Sequence, residues 1–210
     1  MDLKYSKSGL VDFFKDKRIL ITGNTGFKGS WLSQILLTFG SKVMGYSIDV
    51  PTVPSLFNSL NLDEEFKTIK GDISDYKKLK QTIVSFKPEI VFHMAAQSLV
   101  YEGYKDPLST FKTNVLGTAN LLESCRDSSV SYIVNVTSDK CYLNDGDEEL
   151  LETNPLGGYD PYSSSKACAE LVTLAYYKSF FQKDKLRIVS VRAGNAVSYT
   201  HLRAHETTNY

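Results

Sequence analysis

Apolar residues along this chain fall into short continuous runs that alternate with longer amphipathic stretches. The run Arg18-Ile19-Leu20-Ile21-Thr22 has the length and continuity of a buried strand, and residues 31–39 carry apolar side chains at helical spacing. Gly40 ends that helix, and residues 42–47 form a second strand. The same alternation predicts strands at 66–70, 89–93, 132–137 and 186–191, and helices at 76–86, 108–125 and 162–180.

The order of these elements predicts an α/β fold in which a parallel sheet is doubly wound, with helices on both of its faces. Coverage on both faces explains why the predicted strands are apolar throughout instead of alternating with polar residues. In such sheets, ligands bind beyond the carboxyl ends of the strands. We therefore expect the functional residues of this chain directly after its strands.

Composition narrows the class of partner. The chain has 210 residues, enough for one α/β domain or for one domain and part of another, and its 24 basic residues balance its 24 acidic residues. This balance argues against nucleic acid or an anionic membrane as a partner. The N-terminal stretch is too charged for a signal peptide, no later run is long enough for a membrane span, and the three cysteines lack metal-ligand spacing. We expect a cytoplasmic protein without a bound metal.

The turn after the first predicted strand reads Gly23-Asn24-Thr25-Gly26-Phe27-Lys28-Gly29, with a glycine at every third position. A tight turn, close approach of the backbone to a pyrophosphate, and free amides at a helix N-terminus all favour this composition. The setting between a strand and a helix makes the motif more specific than three glycines alone. It predicts a dinucleotide site to which Thr25, Phe27 and Lys28 also contribute.

Two acidic residues follow the second and third strands. Asp49 can accept hydrogen bonds from the ribose hydroxyls and so select NAD over its 2′-phosphorylated relative, and the alternative is a solvated loop carboxylate. No arginine lies at this strand tip to pair with a 2′-phosphate, which also favours NAD. Asp72 can accept from the adenine amino group while Ile73 packs on the ring, and the alternative for Asp72 is a turn or helix-cap residue.

The segment after the fourth strand brings small residues to a place where backbone must pass close to the cofactor. The candidates for cofactor contact in this part of the chain are Ala95, Ala96, Gln97 and Asn114. His93 precedes them. We expect a packed or hydrogen-bonded core residue there, because no second metal ligand lies at a suitable spacing.

A second group of candidates combines the end of the fifth strand with the last predicted helix. Tyr162 and Lys166 are four residues apart and share a helix face. The pKa of a phenol is about 10 and a neighbouring cation lowers it, so such a pair can take a hydroxyl proton as hydride leaves the same carbon. This spacing alone is common in helices. Ser138 adds a hydroxyl that can bond the same substrate oxygen, and the three residues together predict an enzyme site.

These residues carry a resemblance to a known family. The chain resembles the extended short-chain dehydrogenase/reductases and, within them, the dehydratases that act on CDP-glucose. The stretches that resemble these proteins are 22–32, 51–57, 137–142, 157–163 and 192–195. Ser138-Asp139-Lys140 discriminates best, since related dTDP-glucose dehydratases carry Asp-Glu where this chain has Asp139-Lys140, and sugar epimerases usually lack this pair.

The resemblance implies a Rossmann-type fold, NAD as cofactor and a nucleotide sugar as substrate. It implies that Tyr162, helped by Lys166 and Ser138, deprotonates the hydroxyl at sugar carbon 4. Asp139 would protonate the leaving hydroxyl at carbon 6, and Lys140 is the candidate base at carbon 5. The product would be a 4-keto-6-deoxy sugar, with NAD regenerated. Family members commonly dimerise, so the intact protein is expected to be a homodimer.

Two departures from the family pattern stand out. Tyr101 occupies a position where we expect an arginine on the substrate side. Residues 198–210 fit neither the family nor a helix or strand pattern, so we interpret them as a non-native tail and do not read His201 and His205 as a metal pair. We divide the chain into an extension at 1–16, an NAD-binding domain at 17–197 and this tail. We expect the substrate-binding domain to be missing and this fragment to be inactive.

Two other functions stay open at this point. An epimerase, or a dehydratase acting on a different nucleotide, would use the same fold. A dinucleotide-binding fragment or sensor without turnover belongs to another class. The complete set of Ser138, Tyr162 and Lys166 argues against a sensor, whereas the missing domain favours an inactive fragment.

Overall fold

Parallel strands form the centre of the structure, a computed structural model that describes residues 7–143, 146, 149–182 and 186–195. Within these residues there is one six-stranded sheet of order β3-β2-β1-β4-β5-β6, with every neighbouring pair parallel. Its strands are β1 (Arg18–Thr22), β2 (Lys42–Ser47), β3 (Thr68–Lys70), β4 (Ile90–His93), β5 (Tyr132–Ser138) and β6 (Arg187–Ala193). The predicted doubly wound sheet is confirmed.

Helices connect the strands. They are α1 (Lys7–Phe14), α2 (Phe27–Thr38), α3 (Leu56–Ser59), α4 (Leu62–Glu65), α5 (Tyr76–Phe86), α6 (Val100–Lys105), α7 (Pro107–Phe111), α8 (Gly117–Cys125) and α9 (Pro161–Tyr176). π-helical turns at Lys112–Leu116 and Tyr177–Phe181 extend α7 into α8 and lengthen α9, and a 3₁₀ turn at Asp139–Cys141 follows β5. The segment 198–210, with His201 and His205, lies outside the described residues.

Most predicted elements are found with shifted ends. β1, β2 and α5 match their predicted bounds, and the predicted helix at 108–125 is present but contains the π-helical turn. The prediction of a strand from residue 66 is wrong at its start, because Phe66 caps the end of α4 in extended backbone and β3 begins only at Thr68. The predicted start of the first helix, at residue 31, is too late, since α2 begins directly after Gly26. Patterning misses α1, α3, α4 and α6, the last three of which have at most six residues.

Local capping explains where several helices begin. The side chains of Ser55, Asp75, Asp106 and Asp160 each accept a hydrogen bond from a backbone N–H in the first turn of the helix that follows. These bonds satisfy donors that the helix itself leaves without partners. The cap on α9 has a functional consequence, because it fixes the start of the helix that carries the predicted tyrosine and lysine.

The strand register divides the core between the two sheet faces. Leu20, Val91 and Ile133 are aligned across β1, β4 and β5 and pack against α5 and α8 on one face. Ile19 and Ile21 point to the other face and pack against α2, α3 and α4. Because the side-chain period of a strand is two, one buried run supplies both layers, which is why these strands read as continuously apolar.

The predicted N-terminal extension includes α1, which packs on the second sheet face. The Phe13 ring meets Tyr132 edge-on at 5.9 Å between centroids, and the Phe14 ring lies 6.5 Å from Phe92. Residues 7–14 therefore contribute to the packing of the domain. The strand order changes direction between β1 and β4, since β2 and β3 extend the sheet to one side and β5 and β6 to the other. In such sheets, ligands bind in the crevice at this point, outside the carboxyl ends of the strands.

Candidate active site

An open cleft of about 1640 Å³ lies across the carboxyl ends of the strands. This volume exceeds the 300–1,000 Å³ or so of an ordinary small-molecule pocket, so the cleft has room for two adjoining ligands. The predicted site residues that line it are Gly23, Thr25, Gly26, Phe27, Lys28, Gly29, Asp49, Asp72, Ile73, Ala95, Ala96, Gln97, Ser138, Lys140, Tyr162 and Lys166. Asn114 and Asp139 are not among the lining residues.

The three glycines of the first turn have different physical roles. Gly23 has a φ of +75°, and a Cβ there would lie 2.7 Å from the Ala95 amide nitrogen, so only glycine fits against the loop after β4. A Cβ at Gly29 would overlap the Gly23 carbonyl oxygen and lie 2.8 Å from the Asn24 Cα. A Cβ at Gly26 would meet only the Gly23 carbonyl oxygen, at 3.4 Å. Gly23 and Gly29 thus make the turn possible, while Gly26 leaves the cleft side of the helix N-terminus open.

Asp49 lies two residues past the end of β2 on the rim of the cleft. Its side chain is 72% exposed, accepts a hydrogen bond from the Val50 amide at 2.9 Å, and pairs with the Lys70 ammonium at 3.4 Å. The Val50 amide first, and then the positive charge of Lys70, lower the pKa of the Asp49 carboxyl. The pairing with Lys70 was not predicted from the sequence. It became visible only because β2 and β3 are neighbours, with Ser47 opposite Lys70.

Asp72 is a turn residue, which was one of the two roles considered from the sequence, and it borders the cleft. Its carboxylate accepts from the Ser74 amide at 2.8 Å, as a turn residue does, and it also lines the cleft. Its carbonyl oxygen accepts from the Tyr46 hydroxyl at 3.0 Å, and burial, followed by the nearby Asp75 and Asp72 charges, raises the pKa of Tyr46 to about 12. Ile73 is buried beside it and packs so closely on Gly117 that a Cβ at Gly117 would lie 2.6 Å from it.

The loop after β4 is held from behind by Asn114. The Asn114 amide accepts from the Gln97 backbone N–H at 2.8 Å and donates to the Gln97 carbonyl at 3.0 Å and to the Ser165 hydroxyl at 2.8 Å. At 2% exposure its polar atoms are directed at protein groups, so this predicted cofactor contact lies behind the cleft wall. The geometry gives Asn114 a supporting position, in which it fixes the Gln97 loop against α9.

His93 is a hydrogen-bonded core residue, as predicted. Its Nδ1 lies 2.8 Å from the Thr22 hydroxyl and its Nε2 lies 3.1 Å from the Thr118 hydroxyl. Burial, and then the positive charge of Lys166, lower the pKa of His93 to about 3, so the ring is neutral near pH 7. Within the described residues, no group of three or more histidine, cysteine or acidic side chains is arranged to hold a metal ion.

The catalytic candidates meet at one wall of the cleft. Ser138 ends β5, and Tyr162 and Lys166 lie in the first two turns of α9; all three are buried and line the cleft. Gly103 lets α6 approach this wall, since a Cβ there would come within 3.2 Å of the Tyr162 backbone nitrogen. The structure therefore brings together the three residues on which the prediction of an enzyme depends.

Asp139 and Lys140 occupy the 3₁₀ turn that follows Ser138. The Ser138 hydroxyl donates to the Asp139 carboxylate at 3.1 Å and accepts from the Lys140 amide at 3.2 Å. Lys140 lines the cleft, whereas Asp139 is not among the lining residues and its side chain is 49% exposed. The Lys140 ammonium and the Asp139 carboxylate are 4.0 Å apart.

Tyr101, which stands where the family resemblance predicts an arginine, also lines the cleft. The Lys105 ammonium lies 4.2 Å from the centroid of the Tyr101 ring.

The chain is similar to proteins that act on nucleotide sugars. Residues 20–207 match the family described as GDP-mannose 4,6 dehydratase, a range that includes part of the segment interpreted above as a tail. A CDP-glucose 4,6-dehydratase of Salmonella typhimurium is 49% identical over 196 residues, which cover 89% of this chain and 54% of that protein.

Solved structures with the same fold include cofactor complexes. A Thermus thermophilus UDP-glucose 4-epimerase in complex with NAD is 30% identical with a TM-score of 0.72, covering 83% of this chain and 54% of that one. A Streptomyces venezuelae dTDP-glucose 4,6-dehydratase double mutant with NAD bound is 26% identical with a TM-score of 0.74, covering 83% and 55%. The chain thus spans about half the length of the proteins it matches. No helix in the described part of the chain has the length and apolar character needed to cross a membrane.

Proposed function

The chain belongs to the GDP-mannose 4,6 dehydratase family, and from this we propose that it is the NAD-binding part of an enzyme that dehydrates CDP-glucose to CDP-4-keto-6-deoxyglucose. The observation that carries the proposal is the meeting of Ser138, Tyr162 and Lys166 at one wall of the cleft that the glycine turn also lines. The choice of CDP-glucose is supported by the 49% identity to the Salmonella dehydratase and by the Asp139-Lys140 pair.

The cleft fits NAD in shape and in chemistry. Gly26 keeps the N-terminal end of α2 open toward the cleft, where a pyrophosphate would meet free backbone amides. Asp49 would hold the ribose hydroxyls, and Asp72 and Ile73 would border the adenine. Ala95, Ala96 and Gln97 would lie beside the rest of the dinucleotide, toward Tyr162 and Lys166. NAD supplies the acceptance and return of a hydride, so that it is regenerated in each turnover.

The side chains of the catalytic wall divide the proton transfers among them. Tyr162 removes the proton from the hydroxyl at sugar carbon 4, while Lys166 stabilises the phenolate and Ser138 bonds the same oxygen. The ketone formed at carbon 4 acidifies carbon 5. Lys140, which lines the cleft, is the base at carbon 5, and Asp139 protonates the hydroxyl that leaves carbon 6. Because Asp139 is not among the residues that line the cleft, a change of its rotamer on substrate binding is part of this proposal.

Turnover by the full-length gene product tests the proposal. The protein is incubated with NAD and, separately, with CDP-glucose, GDP-mannose, dTDP-glucose and UDP-glucose, and the products are identified by mass and NMR spectroscopy. We expect a 4-keto-6-deoxy product from CDP-glucose. Preferential conversion of another of these nucleotide sugars would correct the substrate, inversion at carbon 4 without loss of water would indicate an epimerase, and no conversion of any would contradict the enzyme assignment.

The proposal also covers the activity of residues 1–210 alone, and the cellular location and oligomeric state of the full-length protein. We expect residues 1–210 alone to bind NAD weakly and not to convert CDP-glucose, because the relatives are about twice as long and the remaining half would complete the substrate side of the cleft. We expect the full-length protein to be a cytoplasmic homodimer, since Leu171 and Leu174 leave apolar surface exposed on α9 and the three cysteines are free thiols. Sedimentation of the full-length protein checks its assembly.

A further inference from the structure

A buried carboxylate behind the catalytic wall joins several separate segments of the chain. Glu170 lies on α9 and is only 7% exposed. Its Oε1 atom accepts from the Thr137 hydroxyl at 2.6 Å, from the Cys141 thiol at 3.4 Å and from the Arg192 Nε at 2.8 Å. Its Oε2 atom accepts from the Arg192 Nη2 at 2.6 Å. A buried charge with so many donors is held in one position.

The donors bracket the catalytic turn. Thr137 directly precedes Ser138, and Cys141 directly follows Lys140, so the two ends of the segment Ser138-Asp139-Lys140 are both bonded to the same carboxylate. Within the segment, the Ser138 hydroxyl accepts from the Lys140 amide and keeps the turn tight. The position of this turn relative to α9 therefore depends on Glu170.

The same residue shares a helix face with the other half of the catalytic wall. Tyr162, Lys166 and Glu170 are spaced four residues apart on α9, and residues at this spacing lie on one side of a helix. The first two line the cleft, and the third is bonded to the ends of the turn that carries Ser138. One face of α9 thus carries two catalytic candidates, Tyr162 and Lys166. It also carries Glu170, which anchors the segment of the three other candidates, Ser138-Asp139-Lys140.

Arg192 keeps the anchor charged and fixed. It donates to both oxygens of Glu170 from β6, and its guanidinium lies 4.5 Å from the Tyr142 ring centroid. Burial raises the pKa of Glu170, but hydrogen bonds from Arg192 and Thr137 outweigh this and lower it. Arg192 carries a raised pKa, first because of its hydrogen bonds to Glu170. The pair remains ionised across the neutral pH range.

We propose that Glu170 is a positioning residue, which holds the Ser138–Lys140 turn in register with Tyr162 and Lys166 so that both halves of the catalytic wall act on one substrate. The inference rests on the proposed function, because it concerns the reaction of that site. Glu170 is not among the residues that line the cleft, so it acts through the residues that it holds. Loss of its bonds lets the turn shift relative to α9, and a misplacement of about 1 Å costs on the order of a hundredfold in rate.

The test compares two contacts between α9 and β5 in the full-length protein. Glu170→Gln keeps the side-chain shape but turns an acceptor into a donor that faces Arg192. Thr173→Val is the matched control, since Thr173 is also buried on α9, about one turn beyond Glu170, and accepts from Asn135 of β5 at 2.9 Å. Thr137→Val is a milder second variant, which removes one bond to Glu170 and leaves its pair with Arg192 intact.

The expected result separates positioning from general stability. With Glu170→Gln we expect kcat to fall about 10- to 100-fold, with KM for the sugar and Kd for NAD changed about threefold at most. Thr137→Val should give a smaller fall in kcat, and Thr173→Val should retain wild-type kcat. Amide hydrogen exchange in residues 138–142 should be faster in Glu170→Gln than in Thr173→Val.

Each other outcome has a defined meaning. If the wild type is active and Glu170→Gln matches Thr173→Val in kcat, the positioning role is overturned. If Glu170→Gln does not fold, the comparison of Thr137→Val with Thr173→Val decides in the same way. If the wild type converts none of the four nucleotide sugars, the proposed function fails. The exchange measurement then still decides, because unchanged exchange at 138–142 overturns the anchoring of the turn.

Discussion

On the cofactor side of the cleft the groups that face the opening are glycine backbone and exposed side chains, whereas on the catalytic side they are buried side chains. Gly23, Gly26 and Asp49 make the first side, and Asp49 is 72% exposed there. Tyr162 and Lys166 make the second side and are almost fully buried. The supports also differ, since the glycine turn depends on close backbone contacts that leave no room for a Cβ at Gly23 or Gly29, whereas the catalytic wall is braced by side-chain bonds to Glu170.

This difference shows how a single cleft can satisfy two demands. A dinucleotide needs an open backbone surface for its pyrophosphate, and exposed groups suffice at its ribose. Proton transfer needs groups held within a fraction of an ångström, and only a packed and fully hydrogen-bonded environment holds side chains that tightly. We therefore expect substitutions on the cofactor side to weaken NAD binding, and substitutions on the catalytic side to lower kcat.

The largest effect is expected from Tyr162→Phe on the catalytic side. The variant loses the hydroxyl that takes the substrate proton, so we expect kcat to fall roughly 10²–10⁴-fold with little change in NAD affinity. Absorbance of the reduced cofactor in stopped-flow experiments measures the first hydride transfer, which should disappear. Tyr159→Phe, three residues earlier and 75% exposed, is the control and should keep wild-type kcat. Equal losses in both variants would contradict the role of Tyr162.

Asp139→Asn tests the second half of the same wall. We expect the first hydride transfer to occur, because Tyr162, Lys166 and Ser138 are intact, and the reaction to stop before loss of water, so that reduced cofactor accumulates. Steady-state kcat should fall on the order of a hundredfold. If Asp139→Asn and Tyr162→Phe stop at the same step, Asp139 is not the acid for the leaving hydroxyl.

Gly26→Val should lower NAD affinity by about the same factor as Asp139→Asn lowers kcat. The new side chain points into the open part of the cleft, so we expect NAD affinity by calorimetry to fall on the order of a hundredfold. Loss of a glycine at the helix N-cap costs about 1 kcal/mol, or about 2–4 °C in the thermal midpoint. Gly29→Ala is the contrasting variant, because its Cβ meets backbone atoms of Gly23 and Asn24 and should lower stability far more. Unchanged NAD affinity in Gly26→Val would remove the basis for the cofactor site.

A smaller effect is expected at the Asp49–Lys70 pair. Removing the charge with Asp49→Asn frees Lys70 to attract a 2′-phosphate and weakens the bond to the ribose, so the ratio of NADP to NAD affinity should rise on the order of thirtyfold. The double variant Asp49→Asn with Lys70→Gln should lose most of this gain. A ratio that is the same in all three proteins would show that Asp49 is a solvated loop carboxylate, the alternative considered from the sequence.

The last expected effect is on stability and not on binding or rate, at His93, which bonds Thr22 and Thr118. Its pKa is about 3 in the folded state and 6.5 when unperturbed, so between these values the unfolded chain binds a proton that the folded protein does not. Stability from the neutral ring is complete above pH 6.5 and is lost as the pH falls toward 3, by up to about 1.4 kcal/mol per pH unit. Denaturant unfolding at several pH values should show this slope, and His93→Asn should reduce it by one proton. An unchanged slope would mean that the ring is protonated in the fold.

The sequence by itself determined the doubly wound fold, the glycine turn and the order of the candidate catalytic residues. Each of these depends on local information, since a continuous apolar run predicts a strand covered on both faces, and glycines between a strand and a helix predict a turn. Tyr162 and Lys166 could be paired in advance because a helix brings residues four apart together. The short helices α3, α4 and α6 could not be predicted, because they lack enough turns for a periodic pattern.

Only the tertiary structure decided which residues face the cleft and which support it. Asn114 lies behind the wall because its amide is bonded to the Gln97 backbone and to Ser165, and Lys70 pairs with Asp49 because β3 lies beside β2. Glu170 and Arg192 meet only when α9 packs against the β5–β6 edge. Such contacts join residues that are far apart along the chain, and their energy comes from burial and hydrogen bonds that exist only after the layers have packed.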